Sequence, residues 1–268
     1  MLDVTGLVRI GQGRGAEIFA LEDGERVVKL AREGADMPLE REATALRAAH
    51  GAGVPVPRVY ELVEDQSGRR GLVMARVVGR DMLTRFAARP WTLFGAGRKL
   101  GALHARLHVI EAPRELPAAR AVLEERIGGS AALSSTQRDR ALALLWQLPD
   151  GDRLCHFDFH PANVISDGRT LTIIDWPGAC RGDPLADVAL TAIALHGGTP
   201  TPGTPLITRL FAPLGRKVVL GGYLRAYRRY GSWDGERFGR WRMVAAALRL
   251  TYGIAGEESG LTRILDGH

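Results

Sequence analysis

The hydrophobic period of this 268-residue chain changes once, near Gly79. Before that point apolar residues come in short runs bounded by Gly- and Asp-containing turns, the pattern of half-buried strands. After it they recur at three- and four-residue spacing over long stretches, the pattern of amphipathic helices. Such a chain must build a small β-rich part first and a larger helical part second. The segment "LVRIGQGRGAEIFALEDGERVVKLARE" reads as a strand, a Gly-rich turn, a second strand, a turn at Glu22 to Gly24, and a third strand from Arg26 to Leu30. A helix is expected over "MPLEREATALRAAHGAG", ended by Gly51 and Gly53 and prevented from resuming by Pro55 and Pro57. Two more strands fit "RVYELVED" and "GLVMARVVG" around the turn "QSGRR".

Five further helices are expected, in "WTLFGAGRKLGALHARLHVIEA", "STQRDRALALLWQL", "DVALTAIALHGG", "KVVLGGYLRAYRRYG" and "RFGRWRMVAAALRLTYGIAG". The stretch "GGTPTPGTP", from Gly197 to Pro205, is read as a loop. The fold class is therefore α+β, with a β-rich unit over residues 1–78, a mainly helical unit over 79–268, and a cleft crossed near Met74 to Arg80.

Composition narrows the partners. The formal charge of +6 permits an anionic ligand, but the Arg excess is scattered among the helices and aromatics are only 6%, so no stacking platform for nucleic acid is signalled. No basic start followed by an apolar stretch, and no run near 18 apolar residues, marks an exported or membrane-spanning chain. Cys155 and Cys180 are too few and too isolated for a disulfide framework. A cytoplasmic protein acting on neither nucleic acid nor membrane is expected; the sequence does not set its oligomeric state.

Chemistry concentrates in "HFDFHPANVISDGRTLTIIDW", His156 to Trp176. Pro161 and its short polar neighbours break any regular element between Asp158 and Asn163, so the segment curls back and brings both side chains to one side. An apolar hairpin around the turn at Asp167 and Gly168 then delivers Asp175. Carboxylate and amide oxygens are hard ligands suited to Mg²⁺, whose shell is usually completed by water and substrate phosphates. Two protein oxygens plus one base meet the needs of phosphoryl transfer. Singly, each of these side chains could serve only to cap a turn, as Asp167 does; His156 is expected to order the loop. His104 and His108 are spaced like zinc ligands, but "HARLH" lacks the glutamate of HExxH and follows the helical Leu pattern.

The pattern HxDxxxxN followed by a hairpin and Asp resembles the aminoglycoside phosphotransferase and choline kinase branch of the protein-kinase-like superfamily, where HxDxHPxN and IDWxxA are characteristic. The similarity runs in order through "GVPVP", "GLVMARVVGR" and "GDPLADVA"; Pro177 in "IDWPGA" departs from it. The resemblance implies a two-lobe fold and an alcohol phosphotransferase using ATP, with GTP as the alternative donor, and Mg²⁺. It assigns Asp158 as catalytic base, Asn163 and Asp175 as metal ligands, and Lys29 to the nucleotide phosphates. Gly11 and Gly13 would cover those phosphates, and Met74 and Arg76 would belong to the hinge beside the base.

Lys29 then needs a glutamate from the following helix. Glu42 falls on the face holding Leu39, Ala43 and Leu46, whereas Glu40 points about 100° away, so Glu42 is chosen. In "GDPLADVA", Asp183 would cap a helix and Asp187 would brace the catalytic loop. Only seven residues separate Asp175 from Asp183, too few for the activation segment of a protein kinase. The acceptor is therefore a small hydroxylated molecule, an aminoglycoside or a choline-, sugar- or other metabolite-type compound; a nucleotide-binding protein without catalysis is the rival reading. The acidic residues Asp187, Asp234, Glu236, Glu257, Glu258 and Asp266 are candidates for gripping a cationic acceptor, against which the Arg-rich last helices favour an acceptor of low or negative charge.

Overall fold

The computed structural model describes residues 2–13, 15–197, 206–254 and 256–267. Strands β1 (Val8–Gln12), β2 (Ala16–Ala20), β3 (Arg26–Ala31), β4 (Val59–Glu64) and β5 (Arg70–Ala75) form one antiparallel sheet in the order β1-β2-β3-β5-β4. The tight turns leave consecutive strands paired, while helix α1 (Leu39–Gly51) carries the chain over the sheet, so that β3 is flanked by β2 and β5. On β3 the run from Val27 to Ala31 is buried, and α1 lays Leu39, Ala43 and Leu46 onto the core. Each fully buried Val or Leu among them contributes about 1.5–3 kcal/mol.

The helical part begins with the short β6 (Arg80–Asp81), α2 (Met82–Ala88), α3 (Leu93–Leu107), α4 (Ala119–Gly128) and α5 (Ser135–Gln147). Strands β7 (Arg153–Cys155), β8 (Val164–Ser166), β9 (Leu171–Ile173) and β10 (Cys180–Gly182) follow, then α6 (Pro184–His196), α7 (Leu206–Tyr230), α8 (Gly235–Leu250) and α9 (Glu258–Leu265). Strand β10 pairs with β7, setting the free thiols Cys155 and Cys180 opposite one another, and β6 joins the β8–β9 hairpin. Among the described residues no helix is long and apolar enough to cross a membrane.

Helices α3 and α7 pack with their backbones unusually close. A β-carbon at Gly97 would run into the carbonyl of Val219, and one at Gly101 into that of Tyr223, so only glycine fits there. The four-residue step from Gly97 to Gly101 matches the step from Val219 to Tyr223, which keeps both contacts on one seam. Caps fix the helix ends: Asp81, Asp183 and Asp234 accept from the N–H groups of Thr84, Leu185 and Arg237, and Ser134 with Gln137 forms a reciprocal capping box on α5.

The element pattern differs from the sequence expectation in specific places. The two-residue β6 and three-residue β10 are too short to show a period, and α2, α4 and α9 are short helices or bury only a few positions. Helix α7 starts at Leu206 rather than Lys217, with Pro213 inside it; a 25-residue helix survives the loss of one backbone hydrogen bond. Beyond Gly197, the expected loop through Pro205 lies outside the described residues.

Candidate active site

Lys29 lies on β3 between two neighbouring strands, 6% exposed, where an unpaired ammonium would be costly. Its Nζ donates to both carboxylate oxygens of Glu42, at 2.9 and 2.8 Å, and to Asp175 Oδ1 at 2.7 Å. Burial pushes the Lys29 pKa down, but the charges of Glu42 and Asp175 outweigh it and hold the group above its ordinary value. Glu42 is 1% exposed and also accepts the Trp176 N–H at 3.1 Å, so one carboxylate ties α1, β3 and the segment after β9 together. Glu40 points outward and pairs with Arg70. The helix-face argument thus identifies the partner that Lys29 meets.

The segment after β7 turns sharply. Phe157 and Asp175, both with φ of 64°, are the only non-glycine residues among those described with positive φ. Side chains rarely accept this conformation unless their surroundings over-determine it. At Phe157 the constraint is Asp187, whose Oδ2 accepts the His156 N–H at 2.5 Å and whose Oδ1 accepts the Phe157 N–H at 3.1 Å. His156 completes the turn: its Nδ1 accepts the Asp158 N–H at 3.2 Å, so its Nε2 carries the proton donated to the Ile174 carbonyl at 3.0 Å. Burial holds this imidazole below its ordinary pKa and keeps it neutral.

Asn163 is pinned through its amide nitrogen, which donates to the Asp158 carbonyl at 2.9 Å and to Asp158 Oδ2 at 3.1 Å. Among the described residues no hydrogen bond occupies its amide oxygen. The Ile174 N–H donates to the Asn163 carbonyl at 3.0 Å, which sets Asp175 alongside. Asp158 itself is exposed, with His160 Nε2 3.3 Å from Oδ1. Although the loop packed around the base of the side chain partly desolvates the carboxyl and pushes it up, the hydrogen bond and charge of His160 prevail and hold it below the usual carboxylate range. Asp167 accepts from the N–H groups of Arg169 and Thr170, both at 2.7 Å, and serves the hairpin turn alone.

Asp187 is also the meeting point of two histidines, His104 in the last turn of α3 and His108 at its C-cap. His104 and His108 Nε2 lie 3.1 and 3.3 Å from its Oδ2, while their Nδ1 atoms each meet a tyrosine hydroxyl at 2.7 Å, Tyr223 and Tyr227 respectively. The Gly97–Gly101 seam makes this possible by bringing α3 against α7. Three ligand atoms within 4.8 Å are a spacing a metal could bridge. Here, however, both Asp187 oxygens already serve the loop backbone, and the group reads as a buried brace. Burial drives His104 down to about 4, whereas His108, hydrogen-bonded to Asp187, is held up at about 9 despite its burial. One shared charge stabilises one imidazolium, and the second proton is excluded.

The remaining expected residues are less tightly gathered. Gly11 sits in β1 at a register shift and Gly13 donates its N–H to Ala16; a β-carbon at either would meet nothing closer than 3.6 Å. The protein itself therefore does not require glycine there. Met74 is buried in β5 opposite Val27, and Arg76 directs its N–H to the Glu25 carbonyl and its guanidinium to the Gly24 carbonyl. Arg41, which the sequence did not single out, reaches from α1 to the Gly178 and Ala179 carbonyls just past Asp175. It stands one residue before Glu42, on the helix flank next to the apolar face, and that is the only signal that could have found it.

This arrangement has relatives of known structure. A choline/ethanolamine kinase family protein from Mesorhizobium loti superposes with a TM-score of 0.63 at 20% identity, covering 97% of this chain and 84% of its own. The amicoumacin kinase hAmiN, solved with AMP-PNP, Ca²⁺ and Ami, gives 0.65 at 15% identity, covering 97% and 86%. An aminoglycoside-3'-phosphotransferase of type VIII gives 0.60 at 25% identity, covering 90% and 93%. No curated protein matches the sequence significantly. The kinase-like two-lobe fold follows from these likenesses, and the profile of the phosphotransferase enzyme family matches residues 6–235; the chain belongs to that family.

Proposed function

We propose that the protein is a small-molecule kinase that transfers the γ-phosphoryl group of ATP to an acceptor hydroxyl. The observation that carries this reading is the knot in which Lys29 joins Glu42 and Asp175, next to Asn163 and an ionised, exposed Asp158. Lys29, preorganised by Glu42, binds phosphate oxygens, and the open glycines Gly11 and Gly13 let backbone approach them. Met74 and Arg76, where β5 leaves the sheet beside β3, border the base. The donor set fits Mg²⁺: the free amide oxygen of Asn163 and the Asp175 oxygen that Lys29 does not hold are hard ligands for an ion that also takes phosphate. When bound, that ion neutralises charge developing on the phosphates.

Asp158 orients the acceptor hydroxyl and takes its proton as the new oxygen–phosphorus bond forms and the bond from the γ-phosphorus to its bridging oxygen breaks, releasing ADP. Its low pKa suits it to orientation first and proton acceptance late. Thermal denaturation tests the reading: Mg²⁺ and ATP together should raise Tm by about 5–10 °C at a hundredfold excess over Kd, since about 2.7 kcal/mol of linkage shifts a chain of this size by that much. A GTP arm sets the donor preference. The absence of any shift at millimolar nucleotide refutes the proposal.

A further inference from the structure

Beside Asp158 lies a shallow hollow, partly open to solvent, between the loop after β7 and helices α6 and α8. Its walls include Phe157, Leu190 and Ile193, with Arg249 and Tyr252 at the far side from the loop. Among its described lining residues Asp158 is the only carboxylate, and on the kinase reading that group is taken up by the reacting hydroxyl.

The six acidic residues that could have gripped a polycation are all elsewhere or already paired. Asp187 is buried under the loop, Asp234 caps α8 and Glu236 pairs with Arg240. Glu258 opens α9, Asp266 faces Arg140, and none of these five lines the pocket. Glu257, the nearest, holds Arg249 through two hydrogen bonds of 2.8 and 3.1 Å and is 9% exposed. The stretch 198–205 carries no Asp or Glu at all.

Positive groups, by contrast, face this side. Arg249 spends Nε and one terminal nitrogen on Glu257, which leaves its other terminal nitrogen as a donor for a ligand. Arg126 donates to the Tyr252 hydroxyl at 3.3 Å, so a second guanidinium stands at the rim.

We propose that the acceptor is a hydroxylated compound without net positive charge, whose apolar body lies on Leu190 and Ile193 and whose carbonyl, hydroxyl or carboxylate oxygen is bound by Arg249. This rests on the kinase reading. A polycation would need several converging carboxylates, since a single exposed pair contributes only about 0–1 kcal/mol. Here it would meet guanidinium groups instead, and like charges at close quarters exclude a partner.

The test uses the full chain saturated with Mg²⁺ and AMP-PNP, and compares 4-nitrophenyl glucoside, 4-nitrophenyl glucuronide and kanamycin by further thermal shift, with ADP release under ATP in parallel. The expected result is a shift with a glycoside, larger for the glucuronide, and none with kanamycin. In the double variant R249Q/E257Q, which keeps a neutral hydrogen-bonded pair so that folding is preserved, glucuronide affinity should fall about tenfold, as for the loss of one charge-assisted hydrogen bond. The shift from Mg²⁺ and nucleotide should be retained. Kanamycin binding more tightly than the glycosides, neither glycoside binding at millimolar concentration, or an unchanged glucuronide affinity in the variant each overturns the inference. If the nucleotide shift itself is missing, the kinase reading has failed; if it is present, only the acceptor class has.

Discussion

Replacing Asp187 by Asn removes the charge on which the turn at Phe157 is built while keeping its shape. In the native protein this carboxylate is fully buried, accepts two backbone N–H groups and faces two imidazoles, of which His108 is held protonated by it. Asparagine offers one acceptor oxygen, so one backbone N–H or one imidazole is left facing an amide NH₂, and the His108 proton loses its counterion. Breaking a buried pair from one side costs about 3–5 kcal/mol, a large share of the roughly 5–15 kcal/mol that holds a domain together. For 268 residues this lowers Tm by about 6–20 °C. The left-handed Phe157 is then no longer over-determined, and a shift of the loop on the order of 1 Å lowers turnover about 10²-fold. Urea denaturation at pH 7 gives the stability, and the His108→Asn and double variants complete the cycle. Because the double variant leaves no orphaned charge, it should be less destabilised than the sum by about 1–3 kcal/mol. A loss under about 1 kcal/mol in Asp187→Asn, or strict additivity, refutes the brace.

The same cluster sets a pH dependence with opposite arms. His104, depressed to about 4, supports folding fully above its unfolded pKa near 6.5 and loses that support as pH falls from there towards 4; His108, raised to about 9, supports folding below 6.5 and loses it as pH rises towards 9. Stability measured by urea titration should therefore peak near neutrality and fall on each side by on the order of 1 kcal/mol per pH unit, with the alkaline arm missing in His108→Asn. Asp158→Ala should lower turnover by about 10²–10⁴-fold with nucleotide affinity nearly intact, whereas Asp175→Ala should weaken binding of Mg²⁺ and nucleotide; steady-state kinetics and thermal shift separate the two roles. Gly101→Val would force α3 away from the Tyr223 carbonyl, and a loss of several kcal/mol in stability is expected, with retained wild-type Tm as the contrary result.

By itself the sequence determined the order of the longer elements, the change from strand to helix near Gly79 and the curled loop between Asp158 and Asn163. These follow from periodicity and from Pro, Gly and Asx chemistry, which act within a few residues and need no distant partner. It also determined that Glu42 rather than Glu40 lies on the buried side of α1, because a helical face is fixed by the 100° step alone. Tertiary structure decided who meets whom. Lys29 and Asp175 are 146 residues apart, and Arg41 is 137 from Gly178; nothing local encodes either contact. The two histidines of α3 read as part of a Leu pattern until the close approach at Gly97 and Gly101 placed them on Tyr223, Tyr227 and Asp187. The acidic residues of the last helices were legible as charges but not as used charges. Whether a carboxylate is free for a ligand depends on which cation the packed chain has already set against it, as Arg249 is set against Glu257.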